Sequence, residues 1–196
     1  MKIVLSFALL VLSFGANASF ITFDANDIEG HGNQATSGGY NIFDSGNGLE
    51  VFGNYWLSLS SVSIASLDSG ILSFEFMTTN VGEINGFGFD NDSEISTGGL
   101  VFNLGGTQSF GNEDFAQSLV ANTWYTYLID FSAYDLSSFD RLLFIADQDN
   151  GTTTDSFFRN VELVSSPSAP TAVPAPSTLS VFALFLIAAC WRARKI

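Results

Sequence analysis

The chain has 196 residues, with 20 acidic and 6 basic side chains and a formal net charge of −14; 46% of it is hydrophobic, including 20 phenylalanines, beside one cysteine and one histidine. So acidic a chain repels nucleic acid and acidic polymers unless a divalent cation intervenes. With one cysteine and one histidine it forms no internal disulfide and no Cys/His zinc centre, and it has little from which to build a catalytic triad.

Residues 1–18 open with Lys2, run through an apolar stretch from 3 to 14 and end in Ala16-Asn17-Ala18, the pattern of a cleavable signal peptide that leaves Ser19 as the mature N-terminus. Residues 19–164 have the size of one domain. Their recurring signal is period two broken by glycine and asparagine, with no sustained helical period and no internal repeat. The pattern predicts strands at 20–23, 49–59, 61–65, 71–77, 83–90, 99–104, 125–131, 141–146 and 156–164. Turn chemistry separates them at Ser37-Gly38-Gly39, Asp68-Ser69-Gly70, Gly98-Gly99, Gly105-Gly106 and Asn150-Gly151. Leu72, Phe74 and Phe76 face one side while Ser73 and Glu75 face the other; Tyr125, Tyr127, Ile129 and Phe131 alternate against Trp124, Thr126, Leu128 and Asp130. About nine short strands with a Phe-rich face predict an all-β fold, a two-sheet antiparallel sandwich of jelly-roll type, with a closed barrel as the alternative. Residues 165–177, rich in Pro, Ser and Ala, read as an extended linker. Residues 178–196 carry an apolar helix at 179–191, 13 residues long, below the roughly 17 to 25 that span a bilayer, followed by the basic Arg192, Arg194 and Lys195. With both ends removed, only Arg141 and Arg159 remain against all 20 acidic residues, a net charge of −18 with no lysine and no cysteine.

Val173-Pro174-Ala175-Pro176, the helix and the basic end together resemble a PEP-CTERM sorting signal, with Ala175 in place of the usual middle glutamate. The resemblance implies recognition by an exosortase, a transient stay in the inner membrane through the C-terminal helix, and cleavage near the Pro motif. It also implies delivery to the cell surface or extracellular matrix of a Gram-negative bacterium that makes exopolysaccharide. A permanent C-terminal anchor is the alternative. Within the domain, Phe23-Asp24-Ala25-Asn26-Asp27-Ile28-Glu29-Gly30-His31, Gly53-Asn54-Tyr55-Trp56, Glu83-Ile84-Asn85-Gly86-Phe87-Gly88-Phe89-Asp90, Gly106-Thr107-Gln108, Leu143-Phe144-Ile145-Ala146-Asp147-Gln148-Asp149 and Ser156-Phe157-Phe158-Arg159 resemble a jelly-roll carbohydrate-binding module appended to secreted bacterial glycosidases and proteases. Gln148 stands where that module has a histidine between its two aspartates, and no catalytic domain accompanies the module here. The resemblance implies a jelly roll that binds polysaccharide.

The residues themselves argue against catalysis. His31 lies in a Gly-flanked stretch that reads as a surface loop, and Glu75 and Glu83 would have to meet on one sheet face to cleave a glycoside. Calcium suits the chain better, since it takes hard oxygen ligands from tight turns. Three acidic clusters offer them: Asp24, Asn26, Asp27 and Glu29; Asp90, Asn91, Asp92 and Glu94; and Asp147, Asp149 and Asn150 ahead of Asp155. If the first and last strands pair, Asp24, Asp27 and Glu29 are expected to converge with Asp147, Asp149 and Asp155 on one Ca²⁺. For sugar contact, flat rings that stack on the apolar faces of pyranoses point to Trp56, Trp124 and Tyr55, with Asn54 and Gln108 as polar partners and Tyr40 and Tyr134 behind them. The expected function is an exported, non-enzymatic, calcium-stabilised carbohydrate-binding module associated with exopolysaccharide. The competing classes are a structural matrix or adhesion protein and a glycan-active enzyme.

Overall fold

A computed structural model describes residues 18–64, 70–94, 99–149 and 154–164, which fall within one compact unit, Ala16–Ser166. The expected signal peptide apart from Ala18, the linker, the sorting motif (Val173, Pro174, Ala175, Pro176) and the apolar helix at 179–191 lie outside the described residues. Nine strands are present: β1 (Ala18–Phe20), β2 (Ile28–Phe43), β3 (Gly48–Leu59), β4 (Ile71–Met77), β5 (Ile84–Asp90), β6 (Leu100–Gly105), β7 (Tyr125–Asp130), β8 (Arg141–Asp147) and β9 (Asp155–Val164). All paired strands run antiparallel, and no α-helix occurs among the described residues.

The strands form one ladder in the order β6-β5-β8-β3-β9-β4-β7. It doubles back at β3, whose first half (48–52) pairs with β9 and whose second half (55–59) pairs with β8. Between the halves sits Gly53 at φ +82°, a backbone conformation that costs an L side chain energy. The result is two facing layers: β6, β5, β8 and the end of β3 against the start of β3, β9, β4 and β7. Rings meet across the gap, Phe74 with Phe87 at 5.3 Å between centroids and Phe144 with Phe158 at 4.8 Å. This is the two-sheet sandwich expected from the strand pattern.

Period-two alternation sends Leu72, Phe74 and Phe76 of β4 and Tyr127 and Ile129 of β7 inward. β5 and β8 are instead buried nearly throughout, because a second apolar cluster of Trp56, Ile84, Val101 and Ile145, joined by Phe110, covers their other face. β1 pairs with the end of β9, Ala18 opposite Val164 and Phe20 opposite Glu162.

Four readings need correction. β2 was unforeseen: residues 28–43 lack alternating apolar positions, yet they follow β3 from Ile28 opposite Leu59 to Phe43 opposite Gly48, with irregularities between Gly30 and Ser37. Residues 61–64 form no strand, and the first strand starts at Ala18 rather than Phe20. His31 belongs to β2 and is fully buried, stacked on Trp56 and 3.2 Å from Asp90, so it is no surface-loop residue.

Candidate functional site

The residues around Glu83 are gathered by hydrogen bonds at the start of β5, one of which joins it to the end of β8. Gly82 N–H donates to Asn85 Oδ1 at 2.8 Å and Glu83 N–H donates to the Asp147 carbonyl at 2.8 Å. As a result, Glu83, Asp147 and Asp149 each present a carboxylate oxygen within 4.8 Å of the other two. Asp149 N–H donates to Glu83 Oε2, and the Asn54 amide, carried by the β3 crossover, donates through Nδ2 to Asp149 Oδ1, both at 2.8 Å. Trp56 Nε1–H donates to Asp147 Oδ2 at 2.8 Å. Asp147 is 7% exposed, and burial pushes its carboxyl above the usual carboxylate range. The Trp56 bond opposes that rise, while the charges of Asp149 and Glu83 add to it.

Of the expected calcium ligands, only Asp147 and Asp149 meet, and Glu83 completes their group. Asp24, Asp27 and Glu29 do not join them, nor does Asp155. Asp24 Oδ1 instead accepts from Asn26 N–H and Nδ2 at 2.8 and 2.7 Å, closing a local turn. The Asp155 carboxylate is taken up by Thr78 Oγ1 at 3.0 Å, Thr79 N–H at 2.6 Å, the Thr79 hydroxyl and Asn80 N–H at 3.3 Å. Asp90, from the second acidic cluster, is buried against His31.

The expected sugar-binding rings also separate. Trp56, 1% exposed, lies between the His31 ring (6.5 Å, 18° between planes) and the Phe110 edge (5.8 Å, 86°), so it is filling and not an exposed platform. Asn54 is buried with it, and Tyr55 is half-buried against the main core. Trp124 keeps a partly exposed position on the outer face, where the Arg159 guanidinium sits 3.9 Å from its ring centroid and also pairs with Glu75. Glu75 is therefore committed to an ion pair on β4, and Glu83 to the Asp147 cluster. The two do not form a glycosidase pair.

Gln108 alone of the expected contact residues lies exposed on a groove. The groove, about 620 Å³, runs beside the β6 edge and includes Val81, Asn103, Thr107, Gln108, Gln117 and Leu119. The segment after β6 returns along that strand: Asn112 N–H donates to the Val101 carbonyl at 2.8 Å and Gln117 N–H to the Leu104 carbonyl at 3.0 Å. This covers an edge that would otherwise be free to pair. Asn103 Nδ2 donates to the Gln108 carbonyl at 3.0 Å and Gln117 Nε2 to the Tyr127 hydroxyl at 2.6 Å, so amide groups are held in place along the groove. Gln108 N–H and Thr107 N–H donate to the Glu83 and Gly82 carbonyls, both at 3.0 Å, tying groove to acid cluster. Only Gln108 was legible in the sequence. Asn103 and Gln117 become recognisable once the segment is seen to fold back.

No family model matches the chain, and no curated protein sequence matches it. Among solved structures it is similar to the family 11 carbohydrate-binding module of the cellulosomal cellulase Lic26A-Cel5E of Clostridium thermocellum, at TM-score 0.50 and 14% identity over 79% of this chain and 97% of that one. A family 11 module from Clostridium thermocellum in complex with a β-1,3-1,4-mixed-linked tetrasaccharide aligns at TM-score 0.47 and 12% identity, over 78% of this chain and 98% of that one. A family 30 carbohydrate-binding module aligns at TM-score 0.41 and 13% identity, over 80% and 82% of the two chains. The likeness to the first of these is one of fold, the all-β sandwich of jelly-roll type.

Proposed function

We propose that the domain is an exported, non-enzymatic module that binds a neutral polysaccharide along the groove of Asn103, Gln108 and Gln117. The groove itself carries the reading: fixed amides and hydroxyls that both donate and accept suit sugar hydroxyls, while Val81, Ala116 and Leu119 offer apolar contact to ring C–H faces. Its volume of about 620 Å³ is that of a ligand site, and it shares a fold with a module that is named for carbohydrate binding. The acidity of the domain favours an uncharged chain or one bridged by cations. Against catalysis stand the burial of His31 and the engagement of Glu75 by Arg159. The PEP-CTERM-like tail supports export by way of an exosortase and the inner membrane, with exopolysaccharide as the nearest glycan. Calcium belongs to the same reading.

A glycan array followed by affinity measurement tests the groove. Loss of one hydrogen bond is worth about 0.5–1.5 kcal/mol, so Gln108→Ala should weaken binding about 2- to 10-fold without lowering Tm. If Gln108→Ala binds like the parent while Trp124→Ala abolishes binding, the outer face of β7 is the site. Retention of no glycan at all would favour the matrix-protein reading. Export is tested by intact mass: the secreted species should lack residues 1–18 and 179–191, and replacing Pro174 and Pro176 should leave it in the inner membrane.

A further inference from the structure

We propose that Glu83, Asp147 and Asp149, with the side-chain carbonyl of Asn54, form a binding site for a calcium ion, and that the bound ion fixes the Thr107–Gln108 turn of the groove. Three carboxylate oxygens approach within 4.8 Å of one another, and no protein cation offsets them. The only basic residues between positions 19 and 164 are Arg141 and Arg159. Arg141 is held by Asp140 at 3.4 Å and by Ser93 Oγ at 2.9 Å, and Arg159 by Glu75 and Trp124.

Asn54 is 8% exposed, its amide head reaches Asp149 through Nδ2, and its Oδ1 has no hydrogen-bond partner. A buried carbonyl oxygen without a partner is costly. The two ends of a carboxamide have nearly the same shape, so a half-turn of the group brings the oxygen to the position now held by nitrogen, facing the cluster. A cation there turns the group into a fourth oxygen ligand and moves its nitrogen to the position of the present Oδ1.

The donor set selects the ion. Without histidine or cysteine it is an all-oxygen site for a hard cation. Ligands at 2.3–2.6 Å from one calcium ion are at most about 4.6–5.2 Å apart, which matches the observed spread, and calcium tolerates irregular geometry where magnesium demands a near-ideal octahedron. The link to the groove is direct. Glu83 N–H is bonded to the Asp147 carbonyl at 2.8 Å, and the carbonyls of Gly82 and Glu83 hold Thr107 N–H and Gln108 N–H at 3.0 Å. An ion that fixes the Glu83 side chain therefore steadies the turn that carries Gln108. Only the consequence for glycan affinity rests on the proposed function.

Terbium(III), which takes calcium's oxygen sites, can be read by its luminescence, and Trp56 bonded to Asp147 at 2.8 Å is the sensitiser. With the full-length chain, excitation of tryptophan should give terbium emission that calcium displaces with Kd about 10⁻⁴–10⁻³ M. Glu83→Gln and Asp149→Asn should weaken binding about 10-fold or more, and Asp24→Asn should not. Binding that survives both Glu83→Gln and Asp149→Asn, or a chain that binds neither ion, overturns the site. In hydrogen exchange, calcium should slow the Thr107 and Gln108 amides in the parent and not in Asp149→Asn. Calcium binding without that protection overturns the link to the groove. No glycan enters these measurements, so their failure and failure of the glycan screen are separate results.

Discussion

Trp56 is the residue whose surroundings decide most about the site. Its ring fills the space between His31 and Phe110, and its N–H satisfies a buried carboxylate that lies 91 residues further along the chain. Locally, a Gly53-Asn54 turn before a tryptophan reads as an exposed ring; the acceptor and both covering rings are remote in sequence, which is why the burial was illegible. Trp56→Phe keeps most of the ring and leaves Asp147 Oδ2 without its donor, so we expect a loss of about 1–3 kcal/mol, read as a lower urea midpoint at unchanged m-value. His31 makes a second case. Burial holds its imidazole below the ordinary value of 6.5, and nearby Arg141 acts in the same direction, against the opposing pull of Asp90 and Asp92. The folded state thus prefers neutral His31, and the unfolded chain takes up the proton first as pH falls below about 6.5. Stability due to this group is present above that pH and is lost as pH falls toward the folded pKa. Tm measured from pH 7.5 to 5 should drop in the parent, and His31→Leu should flatten that part of the profile.

Among the elements, β4 and β7 follow their sequence pattern closely, because each has side chains whose polarity reports its two faces. β2 does not. Its 16 residues, from Ile28 to Phe43, include glycine at 30, 32, 38 and 39, and its place is set by hydrogen bonds to β3 rather than by an apolar stripe. Backbone pairing leaves little trace in composition. The same limit hid the groove, since the return of residues 111–117 along β6 is also a backbone event. β3 and β2 change layer together near Gly53, where a Cβ would lie 2.4 Å from the Ser37 carbonyl oxygen and φ is +82°. Gly53→Ala should therefore cost more than about 1 kcal/mol and speed amide exchange in β2 ahead of β4 and β7. If β2 and β4 lose protection equally, the crossover is not a local clasp.

At the scale of the whole molecule, cohesion comes from aromatic packing, with no disulfide to assist. Phe158 touches Phe74, Phe76 and Phe144 at centroid distances of 5.9, 5.3 and 4.8 Å and so ties β9 to both layers. Phe158→Ala should cost about 3–5 kcal/mol, a large part of the stability of a domain this size, whereas Phe158→Leu should cost distinctly less; chemical denaturation measures both. The fold class was legible because phenylalanine at alternate positions can be buried only between sheets. The acid cluster was legible only in part, since Asp147 and Asp149 adjoin in sequence whereas Glu83 reaches them through the pairing of β5 with β8. The register of β1 on β9 also sets an order of events. Ser19 sits opposite Leu163 and Ala18 opposite Val164, so the peptide bond between 18 and 19 lies inside a paired strand. A peptidase that grips its substrate in extended form competes for the same backbone groups. Cleavage of that bond and the pairing of residues 18–20 with 162–164 therefore exclude one another.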